Sequence, residues 1–331
     1  MTRTRIALFV GLLCLLAVLC LLSIAIGSRQ LGLGAVLHAL FDPQDGEATA
    51  IVRGLRLPRT LLGLACGIAL GLSGAVMQAL TRNPLADPGL MGVSAGAAFA
   101  VVAAVALFGI TSLLGYIWFA FAGALLAGAL VFLIGSHGPG HRTPIKLVLG
   151  GVVVTALLSS LTSALALTDP TALNRFRFWS AGSLVSHDNA ALLRIVPFLV
   201  IGALLALFSA PALDSLSLGD DVAAALGRRV GLIRLRGALA VTLLTGSAVA
   251  VVGPIAFIGL VVPHLARLMS GVSHRWLLPF AAVLAPCLLL AADLLGRTIA
   301  RPEEIQAGIV AAFLGAPVFI ALVRRRRLGA L

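Results

Sequence analysis

Residues 237–266 read GALAVTLLTGSAVAVVGPIAFIGLVVPHLA, thirty positions without an Asp, Glu, Lys or Arg. That is too long for one bilayer-crossing helix of about 20 residues and short for two. Gly253-Pro254 stands near its middle, and proline, lacking an N–H and fixing its own φ, favours a break there. Whether the stretch makes one crossing or two sets the side on which every later loop lies. The arginines decide it. With two crossings, ten in all and the N-terminus inside, the loops carry 15 Arg/Lys inside and 9 outside; with one crossing the counts become 11 and 13, and Arg324 to Arg327 face out. Cytoplasmic loops hold the excess of positive charge, so two crossings are expected.

Outward from this stretch, further apolar runs fall at 6–26, 61–80, 90–108, 113–134, 147–167, 190–208, 277–296 and 305–323. The chain of 331 residues is 60% hydrophobic and 11% charged, where a soluble domain has roughly 45–50% and 25%. It therefore reads as an all-α polytopic membrane protein with about ten transmembrane helices and both termini cytoplasmic. A single transmembrane domain is expected over 1–331, with 209–233 as its longest cytoplasmic loop. Arginines punctuate the apolar runs, so the net charge of +12 reflects topology rather than nucleic-acid binding. Cys14, Cys20, Cys66 and Cys287 lie inside apolar stretches with no C-x-x-C pair, and say nothing of redox compartment. The run 6–26 exceeds the 7–15-residue core of a signal peptide and reads as the first span.

Gly67, Ala69, Gly74 and Pro84 recur as Gly246, Ala248, Gly253 and Pro263, at a constant offset of 179. Five crossings separate the copies, so the second is inverted: a 5+5 inverted repeat, an arrangement common in transporters.

Several chemistries are weighed and set aside. Gly71-Leu-Ser73-Gly74 and Gly92-Val-Ser94-Ala-Gly96 resemble nucleophile elbows, with His264 as a base, but neither serine has a strand-to-helix context. An intramembrane serine protease is thus the weakest reading. An ion-coupled carrier needs ionisable groups inside the membrane, and only Asp293 comes near, one turn before Arg297. The nucleotide-binding loop G-x-x-x-x-G-K-[ST] requires a lysine. The sole lysine, Lys146, follows Thr143-Pro-Ile, so ATP-driven transport would need a separate ATPase.

Four segments stand out. Gly63, Gly67, Gly71 and Gly74 form a helix-contact stripe. In span five, Thr155, Ser159, Ser160, Thr162 and Ser163 either line a polar route or bond back to helix carbonyls. In the inner loop, Ser217 with Asp220 three positions later resembles a helix N-cap, the alanines propagate the helix, and Gly227 stops it beside Arg228 and Arg229. Outside, Arg56, Arg59 and Arg297 either snorkel as membrane anchors or present forks to carboxylates of a docking protein.

Taken together, Arg56-Leu-Pro-Arg59, Gly74-Ala-Val-Met-Gln78, Asn83-Pro-Leu-Ala-Asp-Pro-Gly89, Gly92-Val-Ser-Ala-Gly96, Leu216 to Gly227, Gly253-Pro-Ile-Ala-Phe-Ile-Gly259 with Pro263-His264, and Leu314-Gly-Ala-Pro-Val-Phe319 resemble the iron-siderophore and vitamin B12 permease family of ABC importers over the whole chain. Thr81-Arg-Asn-Pro-Leu-Ala-Asp-Pro, Phe178-Trp-Ser-Ala-Gly-Ser-Leu184 and His274-Arg-Trp-Leu-Leu-Pro279 look most like its ferric enterobactin permeases.

The resemblance implies a non-catalytic subunit of the bacterial cytoplasmic membrane. A second permease subunit, identical or different, would complete the pathway, with two ABC ATPases beneath and a periplasmic or lipid-anchored binding protein above. It implies docking by Arg56, Arg59 and Arg297. ATPase coupling would run through Leu216, Ser217, Leu218, Gly219, Asp220, Asp221, Ala224, Leu226, Gly227, Arg228 and Arg229. A cytoplasmic gate would form at Asn83, Leu85, Thr143 and Pro144, with Pro144 departing from the expected hydroxyl. Span five would line the pathway. No cofactor is expected on this chain, ATP and magnesium belonging to the partner. The cargo implied is a ferric siderophore, catecholate in type, with haem or cobalamin as the alternatives.

Overall fold

The computed structural model describes residues 2–42, 46–136, 144–185 and 189–324. These form α1 (Thr2–Ala25), α2 (Leu33–Phe41), α3 (Glu47–Ile51), α4 (Leu57–Thr81), α5 (Val93–Phe108), α6 (Leu113–Ser136), α7 (Pro144–Ala166) and α8 (Pro170–Ser180). The second half holds α9 (Asn189–Phe208), α10 (Ala210–Ser217), α11 (Asp220–Ala225), α12 (Val230–Val252), α13 (Ile258–Ser270), α14 (His274–Ile299) and α15 (Ala307–Arg324). A π-turn over Val52–Arg56 joins α3 to α4, and a 3-10 turn over Pro88–Met91 precedes α5. Among the described residues seven helices are long and apolar enough to cross a bilayer, and α5, α13 and α15 are shorter apolar helices, consistent with the ten expected.

The deciding stretch breaks where its proline predicts. Helix α12 ends at Val252 because Gly253 turns to φ 75°, and a new helix starts at Ile258. With 13 residues, α13 is about 20 Å long, short of a hydrocarbon core of about 30 Å. The turn 253–257 therefore lies at membrane depth, where irregular backbone must be covered by protein. Here Ser183 N donates to Val252 O at 2.8 Å, and Gly253 packs against the Trp179 carbonyl so closely that no Cβ would fit. Helix α5 has the same form: 16 residues preceded by a turn in which Asp87 accepts from Gly89 N at 2.8 Å.

A long helix followed by a short one with a proline turn thus opens both α4–α7 and α12–α15. Helix α4 packs on α14 and α13, while α12 packs on α6 and α5. The pairs exchange when the halves are exchanged, as an inverted repeat requires. The offset of 179 holds for helix position at Gly67/Gly246 and Ala69/Ala248 only, since Gly74 lies inside α4 whereas Gly253 ends α12.

Helices α4 and α12 form the centre and are mostly buried, whereas α1 lies at the edge and is mostly exposed. The glycine stripe makes this possible. A Cβ at Gly67 would meet the Pro286 backbone, at Gly71 the Ala281 carbonyl and at Gly74 the Gly259 carbonyl, so α4 rests directly on α14 and α13. Close backbone approach of this kind is how membrane helices gain packing energy without a hydrophobic drive. Helices α2, α3 and α8 decorate the outer end. Helix α8 starts where Pro170 follows Asp169, whose side chain accepts from Thr171 N at 2.8 Å.

Candidate functional site

At the outer end the three arginines converge, but they are buried: Arg56 is 4% exposed, Arg59 8% and Arg297 1%. Asp293, wholly buried on α14, receives Arg59 Nη2 at 2.7 Å and Arg297 Nη2 at 2.8 Å. The other arm of Arg59 reaches Glu304 Oε2 at 2.6 Å. Arg297 Nη1 donates to Ser23 O at 3.0 Å, and Arg56 donates to Ala25 O at 2.7 Å and Arg29 O at 2.5 Å. Gly27 has no Cβ to obstruct the Arg56 guanidinium lying on it. Two arginines and two carboxylates balance, and together with Arg56 they staple α1, α4, α14 and the 300–306 turn. Burial raises the Glu304 carboxyl, but its contacts with Arg59 hold it below the ordinary range. The same arginines line a cavity of about 350 Å³ with Arg29 and Leu55.

The inner end is organised by Asp220, at the start of α11. Arg234 Nη2 of α12 lies 2.7 Å from its Oδ2, and Arg82 binds Oδ1. Arg82 ends α4 in the left-handed region at φ 47°. Beside it, Asn83 Oδ1 accepts from Leu85 N at 2.9 Å, leaving the Leu85 side chain exposed. Thr143 lies outside the described residues, and Pro144 is the first residue of α7.

The cap expected at Ser217 is corrected. Ser217 is the last residue of α10 and its hydroxyl donates to Asp214 O at 2.7 Å. The chain turns at Gly219, φ 111°, and Gly219 rather than Ser217 precedes α11. Glycine is the residue that takes this φ without strain, so the segment is two short helices instead of one. Gly227 does end the second, at φ 76°. Leu216 and Ala223 face inward, whereas Leu218, Asp221, Val222, Ala224, Leu226, Arg228 and Arg229 are exposed. Behind this face a cavity of about 680 Å³ is lined by Phe132, Leu147, Ala224, Arg228 and Arg229 among others.

Helix α10 is anchored separately. Asp214 accepts from His274 N and from His274 Nδ1, both at 2.7 Å, and from Ser273 Oγ at 3.1 Å, capping α14. Burial acts to raise the Asp214 carboxyl, yet the His274 and Ser273 contacts hold it below its usual value. Arg82, Arg234, Asp214 and Glu304 were not anticipated. Only Arg82, next to Asn83-Pro84, carried a local signal.

In α7, Ser159, Ser160 and Ser163 are exposed beside Val153 and Leu157, Thr155 is half-buried and Thr162 is buried. Ser160 bonds back to Ala156 O at 2.9 Å and Thr162 to Leu158 O at 2.6 Å. Bonding back to helix carbonyls therefore holds at Ser160 and Thr162. The Ser73 hydroxyl donates to Leu70 O, and His264 Nδ1 pairs with Arg267, which is no nucleophile-base pair.

Comparison with known proteins accounts for this arrangement. The chain is 50% identical over 327 residues to the ferric enterobactin transport system permease protein FepD of Escherichia coli (strain K12), covering 98% of this chain and 97% of that one. It is 39% identical to the hemin transport system permease protein HmuU of Yersinia pestis, covering 98% of each. A metal-chelate type ABC transporter solved in an inward-facing conformation superposes with a TM-score of 0.85 at 31% identity, covering 96% of this chain and 99% of that one. The model of the FecCD transport family matches residues 15–325, and the chain belongs to that family.

Proposed function

We propose that the chain is the membrane permease subunit of an ATP-driven importer that carries a ferric siderophore of the catecholate type inward across the cytoplasmic membrane. The identity to a ferric enterobactin permease over nearly the whole chain supports that cargo above haem, which enters through one relative's name. This subunit hydrolyses nothing. A separate ATPase, with its own ATP and magnesium, engages the exposed face of α11, and a substrate-binding protein engages the outer end. A second permease copy or paralogue closes the pathway along α7.

The observation that carries the mechanism is Asp220. One carboxylate ties the coupling helix α11 to Arg82, the residue that caps the C-terminus of α4, and to the first turns of α12. A displacement of α11 by the ATPase is passed to Arg82 and thence to Asn83 and Leu85, the gate segment. Arg234 passes it to α12, one of the two central helices. Charge-assisted contacts suit this task because they hold direction as well as distance.

Proteoliposomes containing the chain with its partner subunits and binding protein test the reading. ATP-dependent uptake of radio-iron as ferric catecholate is expected, and proton-gradient-driven uptake without ATP is not. Import of haem or cobalamin with no import of ferric catecholate would overturn the assigned cargo.

A further inference from the structure

The segment Phe178-Trp-Ser-Ala-Gly-Ser-Leu184 builds, with its neighbours, a second outer cavity. This cavity measures about 540 Å³ and is walled by Tyr116, Arg175, Phe178, Trp179, Glu304 and Gln306 among others. We propose that it is a receiving subsite for an anionic, aryl-rich ferric chelate, a tris-catecholate, on its way from the binding protein to the pathway. The inference rests on the import reading above and adds a site to it.

Three observations carry it. The volume falls within the roughly 300–1,000 Å³ of ligand pockets. The charge on the wall is positive: Glu304 is neutralised by Arg59, whose cluster with Asp293 and Arg297 sums to zero. Arg175 is exposed and makes no ion pair among the described residues, so it supplies the unbalanced charge.

The third is aromatic. Phe178, 72% exposed, stands one helical turn from Arg175, and the Trp179 indole N–H is buried with no acceptor among the described residues. Aryl rings of a ligand can stack on Phe178 and under the Arg175 guanidinium, with Trp179 as part of the cavity wall. Trp179 is held in place, since its backbone carbonyl abuts Gly253 and so the break between α12 and α13. A ferric trihydroxamate, neutral and without aryl rings, offers neither the negative charge for Arg175 nor the faces for stacking on Phe178.

The test uses the assembled complex of permease subunits and ATPase in nanodiscs, without binding protein, and measures binding of radio-iron as ferric tris-catecholate. Arg175→Gln and Phe178→Ala are each expected to weaken binding about tenfold. Arg175→Lys should restore part of it, and Arg177→Gln, a neighbouring charge outside the cavity, should change nothing. Both cavity side chains are exposed, so retained basal ATPase activity confirms that folding is intact. Unchanged affinity in R175Q and F178A, or equal binding of a ferric trihydroxamate, overturns the subsite. If the wild-type complex with its binding protein still imports the catecholate in that case, only the subsite is wrong. If it imports the trihydroxamate and not the catecholate, the functional reading fails and the subsite with it.

Discussion

Arg59 and Asp293 are 234 positions apart, yet Nη2 lies 2.7 Å from Oδ1, with the arginine side chain 10% exposed and the carboxylate fully buried. Breaking a buried pair from one side leaves an uncompensated charge, which costs about 3–5 kcal/mol. Asp293→Asn is therefore expected to lower the melting temperature of the detergent-solubilised protein well beyond any surface substitution. Combining Arg59→Met with Asp293→Leu is not expected to recover the loss, because Arg297 is then left buried without its carboxylate and Glu304 without Arg59. A D293N protein melting like the parent would show that the cluster does not hold α4 to α14.

Asp214 predicts an acid-sensitive joint between α10 and α14. Its carboxyl is held below the usual range, burial being outweighed by the His274 and Ser273 contacts. A carboxyl depressed in the folded chain contributes stability that is complete above its unfolded pKa, near 4, and is lost as pH falls through the folded value. Melting temperature should thus fall more steeply in the parent than in Asp214→Asn as pH is lowered below about 4, and not between neutral pH and that point. Parallel pH profiles would remove Asp214 from this role.

How much of this was legible without coordinates depends on range. The break at Gly253-Pro254 and the helix end at Gly227 are local backbone chemistry, and both fall where that chemistry puts them. The Asp293–Arg297 pair is one helical turn, and it too was readable. Arg82–Asp220 spans 138 positions and Arg59–Glu304 spans 245. No periodicity encodes such contacts, so Arg59 and Arg297 read as surface charges when they are buried. Ser217 misled for a related reason: the capping pattern is real chemistry, but Gly219 two residues later offers a turn that needs no side chain.

The Asp220 relay makes a coupling prediction. Asp220→Ala should leave the complex assembled, with ATPase activity retained and uptake reduced by an order of magnitude or more, on the order of the loss when a charge-assisted network of about 1.5–3 kcal/mol is removed. Arg82→Asp should fail alike, and combining Arg82→Asp with Asp220→Arg should not restore uptake, because the swapped charge then opposes Arg234. Ala224→Glu, on the exposed face of α11, should instead weaken retention of the ATPase. Full uptake by D220A with a bound ATPase would mean that motion reaches the gate by another route.

Docking of the binding protein has to be reconsidered in light of the burial of the outer arginines. Replacing all three by glutamate would set new negative charge against Asp293 and Glu304 and disrupt the outer end, whatever their part in docking. Arg56 is the informative position. It contacts backbone carbonyls only, with no carboxylate in its hydrogen bonds, and lines the 350 Å³ outer cavity. A carboxylate of the binding protein entering that cavity would meet a guanidinium already held in place. Arg56→Lys keeps the charge but loses the planar fork. It should leave the association rate at low salt unchanged and speed dissociation, whereas Arg56→Gln should also slow association, with the difference vanishing as salt rises. Surface-immobilised transporter and loaded binding protein, followed across ionic strength, measure both rates. If R56Q associates and dissociates as the parent does at low salt, Arg56 serves only to staple α1 to α4, and the docking contacts lie elsewhere on the outer face.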